Sequence, residues 1–524
     1  MFDPTLVHEF LRFSTEKYPD KEALICGDQR YTYRELNTLS DNMAQNLINH
    51  GLQRHERVIV FLDNSAETVI ALFAILKAGA AFVIVNGALK AAKLSYIARD
   101  SGSTFLISHS SKLKVVAEAN RDIPEDCQLV WIGAQNKLDE ELQAKSLFWD
   151  DLLISPQAQL SYPRIIDSDL ATLIYTSGST GDPKGVISSH HNMISAARSI
   201  IQYIENRPED IIIDTLPLSF DYGLYQVIMS VLFGGTVVIE QSFMFPIKIL
   251  QTIEKEKVTG FPIVPTIVAF LLNMPSFATF NLSSLKYMSN TGSALPVNHI
   301  QKLKELFPQV RMYSMYGLTE CKRVSYLPPE DLEKKPGSVG IPMPNCEVFI
   351  VDEDGHELPA GENGELVIRG SNVMRGYWNS PELTAKTYSK GKLPGEKLLY
   401  SGDIFKKDED GYLYFVGRKD DLIKTKGERV SPKEIENILC HHSSVADAAV
   451  IGVPDEILGS AIKAFVVPKS QNSLSEKDIL KHCKENMEIF MVPKYVTFID
   501  ELPKTPNGKI DKKFLKTSSL EAVT

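Results

Sequence analysis

The chain has 524 residues, 44% hydrophobic and 23% charged, the balance of an ordinary folded protein rather than a disordered or fibrous one. With 56 basic and 66 acidic side chains the net charge is −10, so the chain lacks the basic footprint that displaces counterions from a duplex, and no nucleic-acid partner is expected. Six scattered cysteines without a C-x-x-C pair argue against a zinc cage or a disulfide scaffold and for a reducing compartment.

Taken in chain order, the opening Met1-Phe-Asp-Pro-Thr5 has no basic segment leading into an apolar one, so no signal peptide is expected and a cytoplasmic location follows. Apolar residues at helical spacing (Leu36, Leu39, Met43, Leu47) predict a helix from Tyr33 to His50, with Gly51 where a helix-ending glycine belongs. Arg57 to Leu62 reads as a strand, Glu67 to Lys77 as a helix and Ala81 to Val85 as a strand. The stretch from Thr68 to Val85 is the most apolar, but Lys77 and Gly79 interrupt it, so no membrane span is expected. The same rhythm returns at Ile211 to Leu216, Tyr225 to Phe233 and Thr236 to Ile239. Such alternation predicts an α/β fold with parallel sheets covered by helices.

After about Gly337 the texture changes to strand, Asp-Gly turn and strand (Cys346 to Gly355, Gly364 to Gly370, Asp410 to Val416), which predicts a small barrel-like section. Ser431-Pro-Lys-Glu434 is a capping-box helix start with proline at the first helical position. Strands are expected at Val445 to Val453 and Ile462 to Val467. The predicted division is a large N-terminal domain, residues 1–417, and a small α+β domain, residues 418–524.

The strongest chemical signal is Tyr175-Thr-Ser-Gly-Ser-Thr-Gly-Asp-Pro-Lys-Gly185, entered by the strand-like Ala171 to Ile174. Gly178 and Gly181 let the backbone curl until its N–H groups converge on an anion. Thr176, Ser177, Ser179 and Thr180 add hydroxyl donors and Lys184 adds a positive charge. The spacing is not that of a Walker A loop. No G-x-S-x-G, G-x-G-x-x-G or H-E-x-x-H is present, and the adjacent pairs His190-His191 and His441-His442 read as structural.

This loop resembles the phosphate-binding signature of the adenylate-forming superfamily: acyl- and aryl-CoA synthetases, carrier-protein-loading adenylation domains and firefly-type luciferases. Met315-Tyr-Gly-Leu-Thr-Glu320, Tyr400-Ser-Gly-Asp403, Gly417-Arg-Lys-Asp-Asp-Leu-Ile423 and Pro506-Asn-Gly-Lys509 follow in the family's order. With Tyr31-Thr-Tyr-Arg-Glu-Leu36 near the start, the resemblance covers essentially the whole chain. It implies an enzyme that uses ATP and Mg²⁺ to turn a carboxylate into an acyl-adenylate, then passes the acyl group to a pantetheine thiol. The thiol belongs to coenzyme A or to a phosphopantetheinyl carrier protein.

The resemblance also implies roles. Thr319 donates to a phosphate and Glu320 is a hard oxygen ligand for magnesium, although a glutamate seen alone usually faces water. Asp403 accepts from the ribose hydroxyls, with Arg418 reaching the same sugar. The segment Thr291-Gly292-Ser293-Ala294 lies along the adenine, with Tyr316 at the ring face and Gly317 beside it, and Thr291 also joins Phe220 and Asp221 in the acid pocket. Lys509 bridges carboxylate and phosphate during adenylation, and Asp420 is the hinge that withdraws it before thioester formation. Intact Lys184, Glu320, Asp403 and Lys509 speak against a sensor that has lost catalysis.

For the acid, Leu218-Ser-Phe-Asp-Tyr-Gly223 is informative: Asp221 after Phe220 stands where amino-acid-activating relatives hold the substrate ammonium, or it caps the helix that follows. Lys424 to Pro432 is more similar to CoA ligases than to peptide-synthetase modules. An acyl or aryl acid is therefore favoured over a proline-like amino acid loaded onto a carrier protein, the alternative.

Overall fold

The computed structural model describes residues 3–521 except 134–137, 139, 157–160, 178–181, 273, 275–278, 293–294, 420, 426–427, 456–458, 471–473 and 506–509. Two large sheets form its first part. One has seven strands in the order Ser146–Phe148, Gln128–Ile132, Phe105–His109, Arg57–Phe61, Ala81–Ile84, Leu170–Ser177 and Pro183–Ser189. All of its neighbours run parallel except the last pair, which is a hairpin. The other has nine strands and is parallel through its middle, where Arg311–Tyr316, Tyr287–Asn290, Gly260–Ile263, Ile211–Asp214 and Thr236–Ile239 lie side by side.

The uninterrupted apolar strands have a simple cause. Successive side chains point to opposite faces, and both faces are covered. In Arg57–Phe61, Val58 and Val60 enter the core between the two sheets, whereas Ile59 and Phe61 enter a second core under helices Ala91–Ser101 and Leu113–Ala119. The central core is filled by helices Tyr33–Asn49, Ala66–Lys77, His190–Ile204 and Asp221–Phe233. Thr32 and Glu35 close a capping box at the start of the first of these. In the second, Lys77 is a buried cation held by four acceptors on its neighbour: the Asn37 carbonyl and side chain, Ser40 and Asp41, at 2.7–3.1 Å. The charge that breaks the apolar run in sequence is thus a pin between two helices.

The section after Gly337 is a five-stranded antiparallel sheet. Its long strand Lys397–Lys407 pairs with Asn363–Gly370, Tyr388–Lys390 and Leu413–Arg418. A further five-stranded sheet lies at the C-terminal end, with Val445–Asp455 and Gly459–Pro468 as its longest pair. Helices Pro432–His441 and Glu476–Asn486 cover it, and their apolar residues form a core of their own. Ser431 caps the first of these helices by accepting from the Glu434 N–H, with Pro432 in its first turn, which is the serine half of the predicted capping box. The structure is therefore α/β: a large N-terminal part of helix-covered sheets with a small antiparallel section, then a small α+β part. No described helix is long and apolar enough to cross a membrane.

Candidate active site

The sheets present their strand ends and loops to a cavity of about 1160 Å³. The hairpin Leu170–Ser177/Pro183–Ser189 contributes Thr176 and Lys184, which face each other across its register. Ser177 pairs with Pro183 at the hairpin mouth and is not among the residues lining the cavity. The hairpin is anchored from outside by the Tyr175 hydroxyl, which donates to Asp100 at 2.5 Å, and by the Trp378 backbone N–H on the Gly185 carbonyl at 2.7 Å. Gly178, Ser179, Thr180 and Gly181, between the strands, lie outside the described residues, as do Ser293, Ala294, Asp420 and Lys509.

The strand Arg311–Tyr316 delivers Tyr316, Gly317, Thr319 and Glu320 to the same cavity. Glu320 sits in a turn, not at a helix start. Its carboxylate accepts from the Tyr377 hydroxyl at 2.7 Å, and its carbonyl accepts from the Met374 N–H at 2.9 Å. One carboxylate oxygen is thereby oriented while the group still faces the cavity. Such a hard oxygen donor suits a magnesium ion.

Asp403 and Arg418 are cross-strand partners in the antiparallel section. The Asp403 carboxylate is 3.0 Å from the Arg418 Nε and accepts from the Tyr316 hydroxyl at 2.5 Å. Tyr316 packs edge-on against Phe405, with ring centroids 4.7 Å apart. Burial, and then the neighbouring Asp403 charge, push its hydroxyl pKa upward, so it stays a donor. Each Asp403 oxygen keeps lone-pair capacity for a further donor.

Thr291 is buried at the end of Tyr287–Asn290, and Gly292 takes a left-handed φ of +83°. A side chain there would approach the Phe220 ring, 3.7 Å from an added Cβ. Phe220 occupies the cap position of helix Asp221–Phe233 without a side-chain cap, so Asp221 is the first helical residue and not the cap. It is buried and lines the cavity. From the C-terminal part, Lys433, Glu436, Thr505, Ile510 and Lys512 line the same cavity. Glu436 accepts from Lys512 at 2.6 Å and from the Val450 N–H at 3.0 Å.

The histidine pairs stand elsewhere: His190 Nδ1 accepts from the Val7 N–H at 3.1 Å, and the His442 and His482 rings pack at 5.1 Å. Sequence reasoning missed Tyr377, Glu436, Lys512, and the pair Lys322 and Arg323, which line the cavity while only 4% exposed. Burial, opposed by Asp221, pulls the Lys322 ammonium down to about 8. The pair stands two residues before the short strand Ser325–Leu327, and adjacent cations in such a place read as solvated.

Residues 11–378 match the AMP-binding enzyme family and residues 434–509 match the AMP-binding enzyme C-terminal domain. The chain is 30% identical to a long-chain-fatty-acid–CoA ligase of Bacillus subtilis (strain 168), over 98% of this chain and 95% of that protein. It is also 30% identical to tyrocidine synthase 1 of Brevibacillus parabrevis, over 98% of this chain but 45% of that protein. The chain spans less than half the length of the peptide synthases it matches. Among solved structures, the anthranilate CoA ligase AuaEII in complex with anthranoyl-AMP superposes with a TM-score of 0.90 at 30% identity, covering 100% of this chain and 99% of that one. The chain therefore belongs to the AMP-binding enzyme family of adenylate-forming proteins.

Proposed function

We propose that this protein is an AMP-forming carboxylate–thiol ligase, which activates a small carboxylic acid with ATP and transfers the acyl group to the pantetheine thiol of coenzyme A. The observation that carries this reading is that Lys184, Thr319, Glu320, Asp403 and Arg418, far apart in sequence, line one cavity. Coenzyme A is preferred over a carrier protein because the chain covers 95% and 93% of two fatty-acid–CoA ligases but only fractions of the peptide synthases. The synthase likeness keeps the alternative, an amino acid loaded onto a carrier protein, as the second reading. A cytoplasmic setting suits the six cysteines, all free thiols.

In this reading Asp403 accepts hydrogen bonds from the ribose hydroxyls, and its bonds to Tyr316 and Arg418 fix its orientation. Thr176 and Lys184 hold the outgoing phosphates together with Ser177, Gly178, Ser179, Thr180 and Gly181. Thr319 donates to the α-phosphate, where charge spreads as the carboxylate attacks and pyrophosphate leaves. Magnesium at Glu320 would neutralise phosphate charge. Thr291 to Ala294 bound the adenine, and Phe220 and Asp221 the acid. We place the domain division near Arg418 to Asp420, with Asp420 as hinge and Lys509 as the adenylation lysine.

The test is a pyrophosphate-release assay over a panel of carboxylic acids and amino acids, with coenzyme A and a pantetheinylated carrier protein offered separately. AMP and pyrophosphate are the expected products, and coenzyme A the expected acceptor. Release of ADP and inorganic phosphate would overturn the reading.

A further inference from the structure

One end of the cavity is not explained by ATP. It is built from helix Asp221–Phe233 and the loop after Glu320. The Lys322 Nζ stands 5.4 Å from the centre of the Tyr225 ring, and the Arg323 guanidinium 5.1 Å from that of Tyr222. Tyr222 and Tyr225 are one turn apart on the helix, so its aromatic faces support both cations. Among the described residues, Lys322 Nζ, Arg323 Nε and the Tyr225 hydroxyl are buried without a hydrogen-bond partner.

A buried donor without an acceptor costs free energy, and a buried charge more. Three such donors at one end of a ligand cavity define a missing acceptor. The carboxylates of Asp221 and Glu320 act on Lys322 through space, but neither supplies the hydrogen-bond acceptor that these donors lack.

The loop holds this arrangement in place. The Lys322 N–H donates to the Leu318 carbonyl at 2.7 Å and the Val324 N–H to the Tyr316 carbonyl at 3.0 Å. Lys322 itself adopts a φ of +66°, which a non-glycine side chain rarely takes.

We propose that the acid activated here is a dicarboxylic acid, whose second carboxylate is received by Lys322, Arg323 and the Tyr225 hydroxyl. This rests on the ligase reading above, with the first carboxylate directed at the α-phosphate. Asp221 then has a different role. Its carboxylate stabilises the buried Lys322 charge through space and is not vacant for a substrate ammonium.

The experiment is ATP–pyrophosphate exchange by the full-length enzyme with linear monocarboxylic, dicarboxylic and amino acids matched in chain length. The best dicarboxylate should exceed its matched monocarboxylate in kcat/KM by on the order of 10²-fold, as expected for one buried charge pair. Lys322→Met keeps side-chain length and removes the charge, and should collapse that ratio to near one. Arg323→Gln should lower it in the same direction. Each variant is first shown to be folded by circular dichroism. A wild-type preference for monocarboxylates or amino acids overturns the proposal and leaves the ligase reading standing.

Thermal shift with dicarboxylate alone separates the two failures. If no acid supports exchange but dicarboxylate raises the Tm of wild type and not of Lys322→Met, the ligase reading falls and the second-carboxylate site stands. Absence of both effects overturns both.

Discussion

An alanine at position 317 would drive its methyl carbon into the backbone carbonyl oxygen of Lys322, with the Arg323 backbone close behind. Backbone cannot step aside as a flexible side chain can. Gly317→Ala should therefore lower stability by about 1–3 kcal/mol, the range for forced overpacking, and should raise the KM for ATP because Tyr316, Thr319 and Glu320 share the loop. Urea denaturation and exchange kinetics check the two effects. This glycine was legible in the sequence only as part of a motif; its reason is a contact with a residue five positions on. Residue-scale legibility followed chemistry that needs a compact segment. The glycines and hydroxyls between Tyr175 and Gly185 lie within one short stretch, which is why an anion loop could be proposed from sequence. Glu320 and Tyr377 meet at 2.7 Å across 57 residues of sequence, and Lys322 and Arg323 are adjacent charges whose burial no local pattern reveals.

Elements were more legible than residues because burial on both faces writes itself into composition. The helix predicted from Tyr33 to His50 is Tyr33–Asn49, and the strands predicted from Arg57 and Ala81 end one residue early. Asp221 illustrates the limit. Its chemistry fitted a helix cap, but the helix begins one residue earlier, with Phe220 at the cap and Asp221 inside it. Helix His190–Ile204 carries a pH consequence. Burial lowers the His190 pKa from 6.5 to about 4, against the opposing pull of Asp169 and Asp167, and Nδ1 accepts from the Val7 N–H. His8, whose ring lies 6.0 Å from that of His190, is lowered as well, first by burial. The unfolded chain thus binds protons here that the folded chain refuses. Stability from His190 is complete above pH 6.5 and is lost as pH falls through about 4, by up to roughly 3 kcal/mol at ~1.36 kcal/mol per unit. His190→Asn keeps an acceptor for Val7 and removes the titration. Its Tm should decline less steeply than that of wild type between pH 6.5 and 4, and equal slopes would assign the acid sensitivity to other groups.

At the scale of the whole molecule, the C-terminal part has its own sheet and core, and polar contacts join it to the rest. Ser431 donates to the Val416 carbonyl, and the Lys419 Nζ lies 2.7 Å from the Glu365 carboxylate beside the junction. Thr505 and Ile510 line the cavity on either side of the Pro-Asn-Gly-Lys segment in sequence. Polar contacts of this kind are remade in water at little cost, which suits the hinge rotation proposed above. If Lys509 stabilises charge only while the carboxylate attacks the α-phosphate, Lys509→Ala should slow adenylation by on the order of 10²–10³, the effect of losing one well-placed donor. A synthetic acyl-adenylate given to the same variant should still yield thioester at a rate much closer to that of wild type. Asp420→Pro should show the opposite pattern, since proline restricts the backbone rotation required at the hinge while adenylation needs none. Single-turnover measurements of pyrophosphate release and of thioester formation, on variants first shown to be folded, separate the half-reactions. Equal impairment of both by Lys509→Ala would remove the case for alternating positions and make the lysine a structural residue.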